Sequence, residues 1–286
     1  MITEKRHPSG TRRQAILFLV LTAILWSSSG LLVKIISWQP LSILSGRSIL
    51  STAVFWIFLQ CPTRFRWTRL QVVGAVGYVG AQLFFIMATK LTTAANAIFL
   101  QYTLPIYIVL FGYWFLNERP QRADWISLVV IFTGLFLFFG DDLNFNGVSG
   151  NILAIVSGMS MAVLMLCMRK QKDGTPANTI LLGNIIGAVI GLPFLLQENY
   201  SLPNIGIISY LGIFQIGLSF ILYSIAIKQV KALESSLILT LEPILNPLWV
   251  FLVIGETPGK LAPIGGIFVI GAVTARAVVS ARATTA

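Results

Sequence analysis

Two stretches decide the fold: AANAIFLQYTLPIYIVLFGYWFLNERP at 94–120 and ALESSLILTLEPILNPLWVFLVIGETP at 232–258. At a shift of 138 residues Pro105 coincides with Pro243, and Glu118 coincides with Glu256. Proline and glutamate are unfavourable inside apolar helices, so their agreement at one offset weighs more than the number of identities. The sequence therefore predicts a chain built from two similar halves.

The composition predicts an integral membrane protein. Of the 286 residues, 56% are hydrophobic and only 10% are charged, whereas a soluble domain carries about 25% charged residues. The apolar residues form blocks of about 20, enough to cross roughly 30 Å of hydrocarbon as a helix. The blocks lie near 15–36, 41–60, 70–89, 94–116, 125–140, 148–168, 177–196, 206–227, 235–254 and 261–280. The expected fold class is an all-α integral membrane protein with ten transmembrane helices.

The basic residues predict the orientation. With the N-terminus inside, 16 of the 20 Lys and Arg residues fall in inner segments, and only Lys90 and Lys260 fall in outer loops. Cytoplasmic loops of membrane proteins carry such an excess of Lys and Arg, so both termini are expected in the cytoplasm. The expected location is the inner (plasma) membrane. The net charge of +10 is thereby explained without nucleic acid, which needs a contiguous cationic surface.

Five spans separate equivalent helices, and five is an odd number. The halves are therefore expected in opposite orientations, related by a pseudo-two-fold axis in the membrane plane, as in many secondary transporters. The predicted organisation is a cytoplasmic tail at 1–14, a first five-helix repeat at 15–140 and a second at 148–280. Such a repeat lets one sequence plan build two gates around a midplane site.

Several motifs resemble those of the EamA-type drug/metabolite transporter superfamily. They are FLNERPQRADWISLVVIFTGLFLF at 115–138, VIGETPGKLAPIGGIFVIGAVTA at 253–275, Trp-Ser-Ser-Ser at 26–29 and SGRSILS around Arg47. Asn117 and Met161 depart from the usual pattern, which has a small residue and a tryptophan there. The resemblance implies a basket of ten helices with helices 1, 3, 4, 6, 8 and 9 around a central cavity and helices 5 and 10 at the back. It also implies export of amino acids, drugs or nucleotide-related metabolites.

Glu242 is the only acidic residue inside an apolar block. A carboxylate at membrane depth costs several kcal/mol unless it is paired, neutralised or hydrated. Pro243 follows it and removes a backbone hydrogen bond, so a kink with free carbonyls is expected nearby. Glu242 either binds a proton or a substrate ammonium group, or braces this kink. Asn246 lies one turn further on the same helical face.

Uncharged polar and aromatic side chains recur at helical spacing in block 3 (Tyr78, Gln82, Phe85) and in block 8 (Gln215, Ser219, Tyr223). Such faces suit a moderately apolar solute with polar handles, or else they form helix–helix hydrogen bonds. Trp26 stands in mid-block, where its indole N–H needs a partner in the core or on a cavity wall. The candidate substrate-binding residues are Trp26, Tyr78, Gln82, Phe85, Tyr102, Ser219, Tyr223, Glu242 and Asn246.

Two cations fall inside apolar blocks. Arg47 could neutralise a substrate carboxylate, clamp backbone carbonyls or pair with an acidic group, and a structural role is favoured because the resemblance places helix 2 outside the central ring. Lys34 lies near a helix end and can extend to the membrane surface.

Pro105 and Pro243 are the candidate hinges, because paired interruptions in two halves mark the transport site in such proteins. Glu118 and Glu256, at helix ends, are expected to accept from backbone donors or to bind basic groups. Gly183, Gly187 and Gly191 form a small-residue ridge for helix packing, either inside the chain or in a dimer.

The predicted function is secondary transport of a small organic metabolite, most readily export of an amino acid or related metabolite by alternating access at a central cavity. The alternatives are export of drugs or nucleotide-related metabolites, or a passive channel. An enzyme is disfavoured because the single histidine, His7, lies in the tail and Cys61 and Cys167 have no metal-binding spacing. No cofactor or metal is expected; the expected partners are a small-molecule substrate, protons as a coupling ion and the lipid bilayer, with the chain a monomer or homodimer.

Overall fold

The computed structural model describes residues 9–60, 67–140, 147–254 and 260–282. These residues form helices joined by short turns, with no β-strand among them. The helical segments follow the ten apolar blocks and are numbered helix 1 to helix 10. His7, Cys61 and Glu256 lie outside the described residues.

The bounds are as follows. Helix 1 is Ser9–Ser27 and Ser29–Ile35, helix 2 Pro40–Phe58, helix 3 Arg69–Leu91, helix 4 Ala94–Gln101 and Leu104–Leu116, and helix 5 Arg122–Phe139. Helix 6 is Val148–Lys170, helix 7 Pro176–Leu195, helix 8 Leu202–Ala226 with a π-helical stretch Leu211–Leu218, helix 9 Ala232–Leu239 and Leu241–Ile254, and helix 10 Ala262–Arg282.

The surface of the bundle suits lipid rather than water. Helices 1 to 8 are long and apolar enough to cross a membrane, and helix 10 contributes a shorter apolar stretch, Ala262–Arg276. Large apolar side chains point outward, among them Ile57 (73% exposed), Trp114 (76%) and Ile267 (71%). A water-soluble protein rarely displays so much continuous apolar surface.

Prolines interrupt helices 4 and 9 at equivalent places. Pro105 lacks the N–H that would bond the carbonyl of Gln101, and Pro243 lacks the one that would bond the carbonyl of Leu239. Helix 4 accordingly breaks after Gln101, and helix 9 breaks after Leu239. The interruptions lie where the two candidate hinges stand, while their hinge motion stays a prediction.

The two halves repeat each other in three dimensions. Helix 3 packs on helix 6 as helix 8 packs on helix 1, while helix 2 packs on helix 7 and helix 5 on helix 10. This reciprocal pattern is the one expected if a pseudo-two-fold axis relates the halves. Lys90 donates to the Ile36 carbonyl at 2.6 Å, and Lys228 donates to the Gly174 carbonyl at 2.8 Å. Each atom of the second bond lies one repeat, 138 residues, beyond its counterpart.

The glycine ridge of helix 7 is used inside the chain. A Cβ on Gly183 would lie 2.5 Å from the ring of Tyr78, and one on Gly187 would lie 2.9 Å from Ser48 Oγ. Gly191 lies directly against the backbone of helix 2, where Ser45 Oγ also donates to the Ala188 carbonyl at 2.8 Å. These contacts decide between the two readings of the ridge in favour of internal packing.

Candidate functional site

A small cavity with both polar and apolar lining residues lies between the two halves of the bundle. Its volume is about 40 Å³, room for about three water molecules. It is lined by Trp26, Ser29, Arg47, Ala81, Gln82, Phe85, Gln101, Tyr102, Leu104, Met161, Met165, Gln215, Phe220, Leu239 and Glu242. Both halves of the chain and both proline interruptions therefore contribute to its wall.

The interruption of helix 9 shapes one side of the cavity. Because Pro243 has no N–H, the Leu239 carbonyl lacks its usual donor four residues further along the helix. It instead lies 2.7 Å from Tyr102 Oη. The same hydroxyl lies 2.5 Å from Glu242 Oε2. The Tyr102 hydroxyl thus connects the break in helix 4 to the break in helix 9, because it contacts two oxygen atoms of helix 9. The Tyr102 side chain is 2% exposed.

Arg47 reaches the cavity from helix 2 and is only 1% exposed. Its Nη2 donates to Gln82 Oε1 at 2.6 Å, while its Nη1 is buried without a hydrogen-bond partner. No carboxylate of the described residues lies within ion-pair distance of this guanidinium. The Gln82 contact joins helix 2 to helix 3, so a structural role stays a prediction, and the position of Arg47 in the cavity wall keeps the substrate-binding alternative open.

Gln215 belongs to the π-helical stretch of helix 8. A π-helix widens the helical turn and often occurs at functional sites. Gly212 and Gly217 in this stretch lie against Leu50 and Val54 of helix 2, where a Cβ would come within 3.0 Å. Gln215 lines the cavity, and its Oε1 is buried without a donor among the described residues.

Trp26 forms the wall next to helix 8. Its Nε1 donates to Ser219 Oγ at 2.7 Å, and its ring centroid lies 4.7 Å from that of Phe220. The sequence left open whether Trp26 is a core residue or a cavity residue. It is both, because it is 5% exposed and still lines the cavity.

The structure brings five of the nine candidate residues to the cavity: Trp26, Gln82, Phe85, Tyr102 and Glu242. The other four, Tyr78, Ser219, Tyr223 and Asn246, are buried but do not line it in this conformation. Tyr78 Oη donates to Asn184 Oδ1 of helix 7 at 2.8 Å. Asn246 lies against Gly30 of helix 1, where a Cβ would come within 2.5 Å of Asn246 Nδ2.

Sequence reasoning left the role of Arg47 open and did not place Ser29 and Gln101 among the candidates, and all three line the cavity. Gln101 Nε2 donates to Ser157 Oγ, which in turn donates to the Ala81 carbonyl, so a polar chain ties helices 3, 4 and 6 together behind the cavity. The signal available for Arg47 was its unusual depth within an apolar block. Gln101 stands directly before the break and had no comparable signal.

The comparisons with known proteins agree with this architecture. The model of the EamA-like transporter family matches residues 13–140 and again residues 148–275. The chain belongs to the EamA-like transporter family. Each half of this EamA-like protein is thus one copy of the family unit, and the chain is a multi-pass membrane transporter.

The EamA-like chain also resembles individual proteins. It is 24% identical over 278 residues to an uncharacterized transporter of Archaeoglobus fulgidus, covering 90% of this chain and 95% of that protein. It is 26% identical over 232 residues, 77% of each chain, to the threonine/homoserine exporter RhtA of Escherichia coli strain K12. A solved crystal structure with 22% identity has a TM-score of 0.78 and covers 95% of this chain and 99% of its own, which shows the shared fold.

Three ion pairs of this EamA-like transporter join its halves: Arg12–Glu234 at 2.8 Å, Arg169–Glu118 at 2.7 Å and Arg276–Asp124 at 2.6 Å. Four of their side chains line one crevice at a single end of the bundle. Glu118 also accepts from the Ala232 N–H at 3.2 Å, at the start of helix 9. The expectation that Glu118 serves backbone donors and a basic group is therefore met by its contacts.

Proposed function

We propose that this chain is a secondary exporter that carries a small amino-acid-like metabolite by alternating access at the central cavity. The observation that carries the proposal is the shared wall of that cavity. Gln82 and Tyr102 come from the first half, and Gln215 and Glu242 come from the second. A site between two halves can face one side of the membrane and then the other when the halves rock against each other.

The topology we propose has ten transmembrane helices in two inverted repeats, with both termini cytoplasmic in the inner membrane. Five helical segments in each half support it, because an odd number reverses the orientation of the second repeat. The reciprocal packing of helix 3 on helix 6 and helix 8 on helix 1 supports the pseudo-two-fold axis. The excess of Lys and Arg on one side supports the direction.

The size of the cavity favours alternating access over a passive channel. At about 40 Å³ it is too small for an amino acid. A substrate therefore needs a conformation in which the halves separate on one side. Pro105 and Pro243 are the proposed hinges, since each leaves one turn of its helix without a backbone hydrogen bond.

Glu242 is the proposed proton carrier. The Tyr102 hydroxyl has one proton but faces two oxygens, the Leu239 carbonyl and Glu242 Oε2. An ionised Glu242 would leave one of these acceptors without a donor. A protonated Glu242 satisfies both, because it donates to Tyr102 Oη while Tyr102 donates to Leu239. This count supports proton exchange coupled to the opening of the site.

The relatives support the class of cargo. RhtA is named as a threonine/homoserine exporter, and its identity of 26% over 77% of the chain supports an amino-acid-like metabolite here. Drugs and nucleotide-related metabolites are the alternative cargo, which the aromatic wall of Trp26, Phe85 and Phe220 would also accommodate.

The test is efflux from proteoliposomes preloaded with labelled amino acids, nucleosides or cationic drugs, with and without a pH gradient. Glu242→Gln is compared with wild type, and Glu198→Gln is the matched control because Glu198 lies outside the cavity and accepts from the Gln39 N–H. Saturable efflux with counter-transport is expected, with loss of the pH response only in Glu242→Gln. Flux that never saturates would refute alternating access, and an unchanged pH response would remove Glu242 from the coupling.

A further inference from the structure

A buried cation without a counter-ion is the least explained feature of the cavity wall. Arg47 is 1% exposed and has no carboxylate partner in the part of the chain that the structure describes. Burying a guanidinium is costly unless it is paired and its donors are used. Nη1 of Arg47 is buried and has no acceptor among the described residues. The cavity wall therefore includes a positive charge that no carboxylate of the described residues neutralises.

Two structural roles considered for Arg47, a clamp on carbonyls and an ion pair, do not match its contacts among the described residues. A clamp on exposed carbonyls would show hydrogen bonds to the backbone, whereas the recorded partner of the guanidinium is the side chain of Gln82, at 2.6 Å. The other buried arginines of the described residues each have a carboxylate partner. Arg276 pairs with Asp124 at 2.6 Å, and Arg169 pairs with Glu118 and donates to two carbonyls.

The same cavity contains an unused acceptor. Gln215 Oε1 is buried without a donor among the described residues, and Gln215 lines the cavity together with Arg47 and Glu242. A buried acceptor without a donor carries a penalty comparable to a lost hydrogen bond. One unsatisfied cationic donor and one unsatisfied acceptor in the same cavity match a molecule that carries a carboxylate and an ammonium group.

We propose that Arg47 binds the carboxylate of the transported molecule, that Gln215 and Glu242 receive its ammonium group, and that the substrates are therefore α-amino acids or similar zwitterions. This inference rests on the proposed function, because it concerns the same cavity. The planar guanidinium of arginine matches the geometry of a carboxylate. Gln82 accepts from Nη2 of Arg47, which leaves Nη1 available to donate to the substrate carboxylate. An α-amino acid satisfies both unpaired atoms when the cavity widens.

The test compares each amino acid with its α-carboxamide, which keeps the ammonium group and side chain but has no negative charge. Purified full-length protein is titrated with both compounds, for the twenty common amino acids, and the concentration for half-maximal thermal stabilisation is measured. Inhibition of labelled amino-acid efflux from proteoliposomes gives a second readout. For the amino acids that bind, the acid is expected to bind 10- to 100-fold more tightly than the amide, the range for hydrogen bonds to a charged group.

Three variants separate binding from folding. Arg47→Gln should lose the preference for the acid over the amide, while Arg47→Lys should keep part of it because the charge remains. Gln82→Glu places a carboxylate beside Arg47; it should raise the melting temperature and weaken amino-acid binding at least tenfold. A purely structural Arg47 would not produce this opposition between stability and binding.

The outcomes distinguish this inference from the proposed function. Saturable transport in which amides match acids, or an unchanged preference in a folded Arg47→Gln protein, would overturn the role of Arg47 and leave the exporter intact. If Arg47→Gln does not fold, Gln82→Glu decides alone: amino-acid binding at wild-type strength overturns the role. Absence of saturable flux for amino acids, nucleosides and drugs alike would instead refute the proposed exporter, and this inference with it.

Discussion

Tyr102 and Tyr223 form a matched pair for measuring what the central hydrogen bonds contribute. Both rings are buried, at 2% and 0% exposure. Tyr102 Oη lies at 2.7 Å from the Leu239 carbonyl and at 2.5 Å from Glu242, whereas Tyr223 Oη has no partner among the described residues. Replacing each tyrosine by phenylalanine removes one buried hydroxyl and keeps the ring, so the two variants differ in the hydrogen bonds that are lost.

The two substitutions should therefore act in opposite directions. Tyr102→Phe leaves a buried carbonyl and a buried carboxyl group unsatisfied, and each such group costs about 1–3 kcal/mol. Tyr223→Phe removes a hydroxyl that was buried without compensation, so the free energy of unfolding should stay equal or rise by up to about 1 kcal/mol.

Thermal unfolding of the purified protein in detergent, followed by tryptophan fluorescence, measures the difference. Tyr102→Phe should unfold several degrees below wild type, and Tyr223→Phe should unfold at or above it. A change of similar size and sign in both variants would refute the reasoning, because ring packing rather than hydrogen bonding would then dominate. Efflux assays on the same proteins should show a changed pH response only for Tyr102→Phe.

Four further substitutions test the packing, the ion pairs and the cavity wall. Gly158→Ala, whose Cβ would lie 2.5 Å from the Gln101 carbonyl, should destabilise by about 1–3 kcal/mol, whereas Gly271→Ala, with nothing within 4 Å, should be neutral or stabilising in a melting assay. Asp124→Asn should lower the free energy of unfolding by about 3–5 kcal/mol, because it leaves the Arg276 guanidinium buried without its counter-ion. A variant that melts at the wild-type temperature would contradict this expectation. Trp26→Phe keeps an aromatic wall but removes the indole N–H, so efflux should fall while the protein still folds, as judged by melting and size-exclusion profile.

Much of the architecture could be predicted from the sequence. Apolar length and the repeat offset are enough to place the helices, and the register of Pro105 and Pro243 identifies the two interruptions before any coordinates. These features depend on local chemistry: a proline always removes one backbone donor, whatever surrounds it. Glu118 could likewise be identified from the sequence as a charged residue at a helix end.

The composition of the cavity wall could be predicted only in part. Helical spacing shows which residues share a face but not which neighbour that face meets. Tyr78 therefore turned out to bond Asn184 on helix 7, and Asn246 to pack on Gly30. The presence of Arg47 in the cavity wall could not be predicted, because it depends on the length of its side chain, which reaches the cavity from helix 2. Tertiary distances of this kind have no signature in one sequence.

Two of the described ion pairs between the halves, Arg12–Glu234 and Arg276–Asp124, have no charged counterpart in the repeat. One repeat away, the counterparts of Arg12 and Glu234 are Gly150 and Asn96, which carry no charge. The counterparts of Asp124 and Arg276 are Ala262 and Phe138, equally uncharged. A symmetric carrier would rest equally in its two conformations, whereas about 1.4 kcal/mol of bias makes one of them tenfold more populated. Under the proposed alternating access, these ion pairs would favour the conformation in which their end of the bundle is closed, and neutralising them should shift cysteine-accessibility labelling toward a state open at that end.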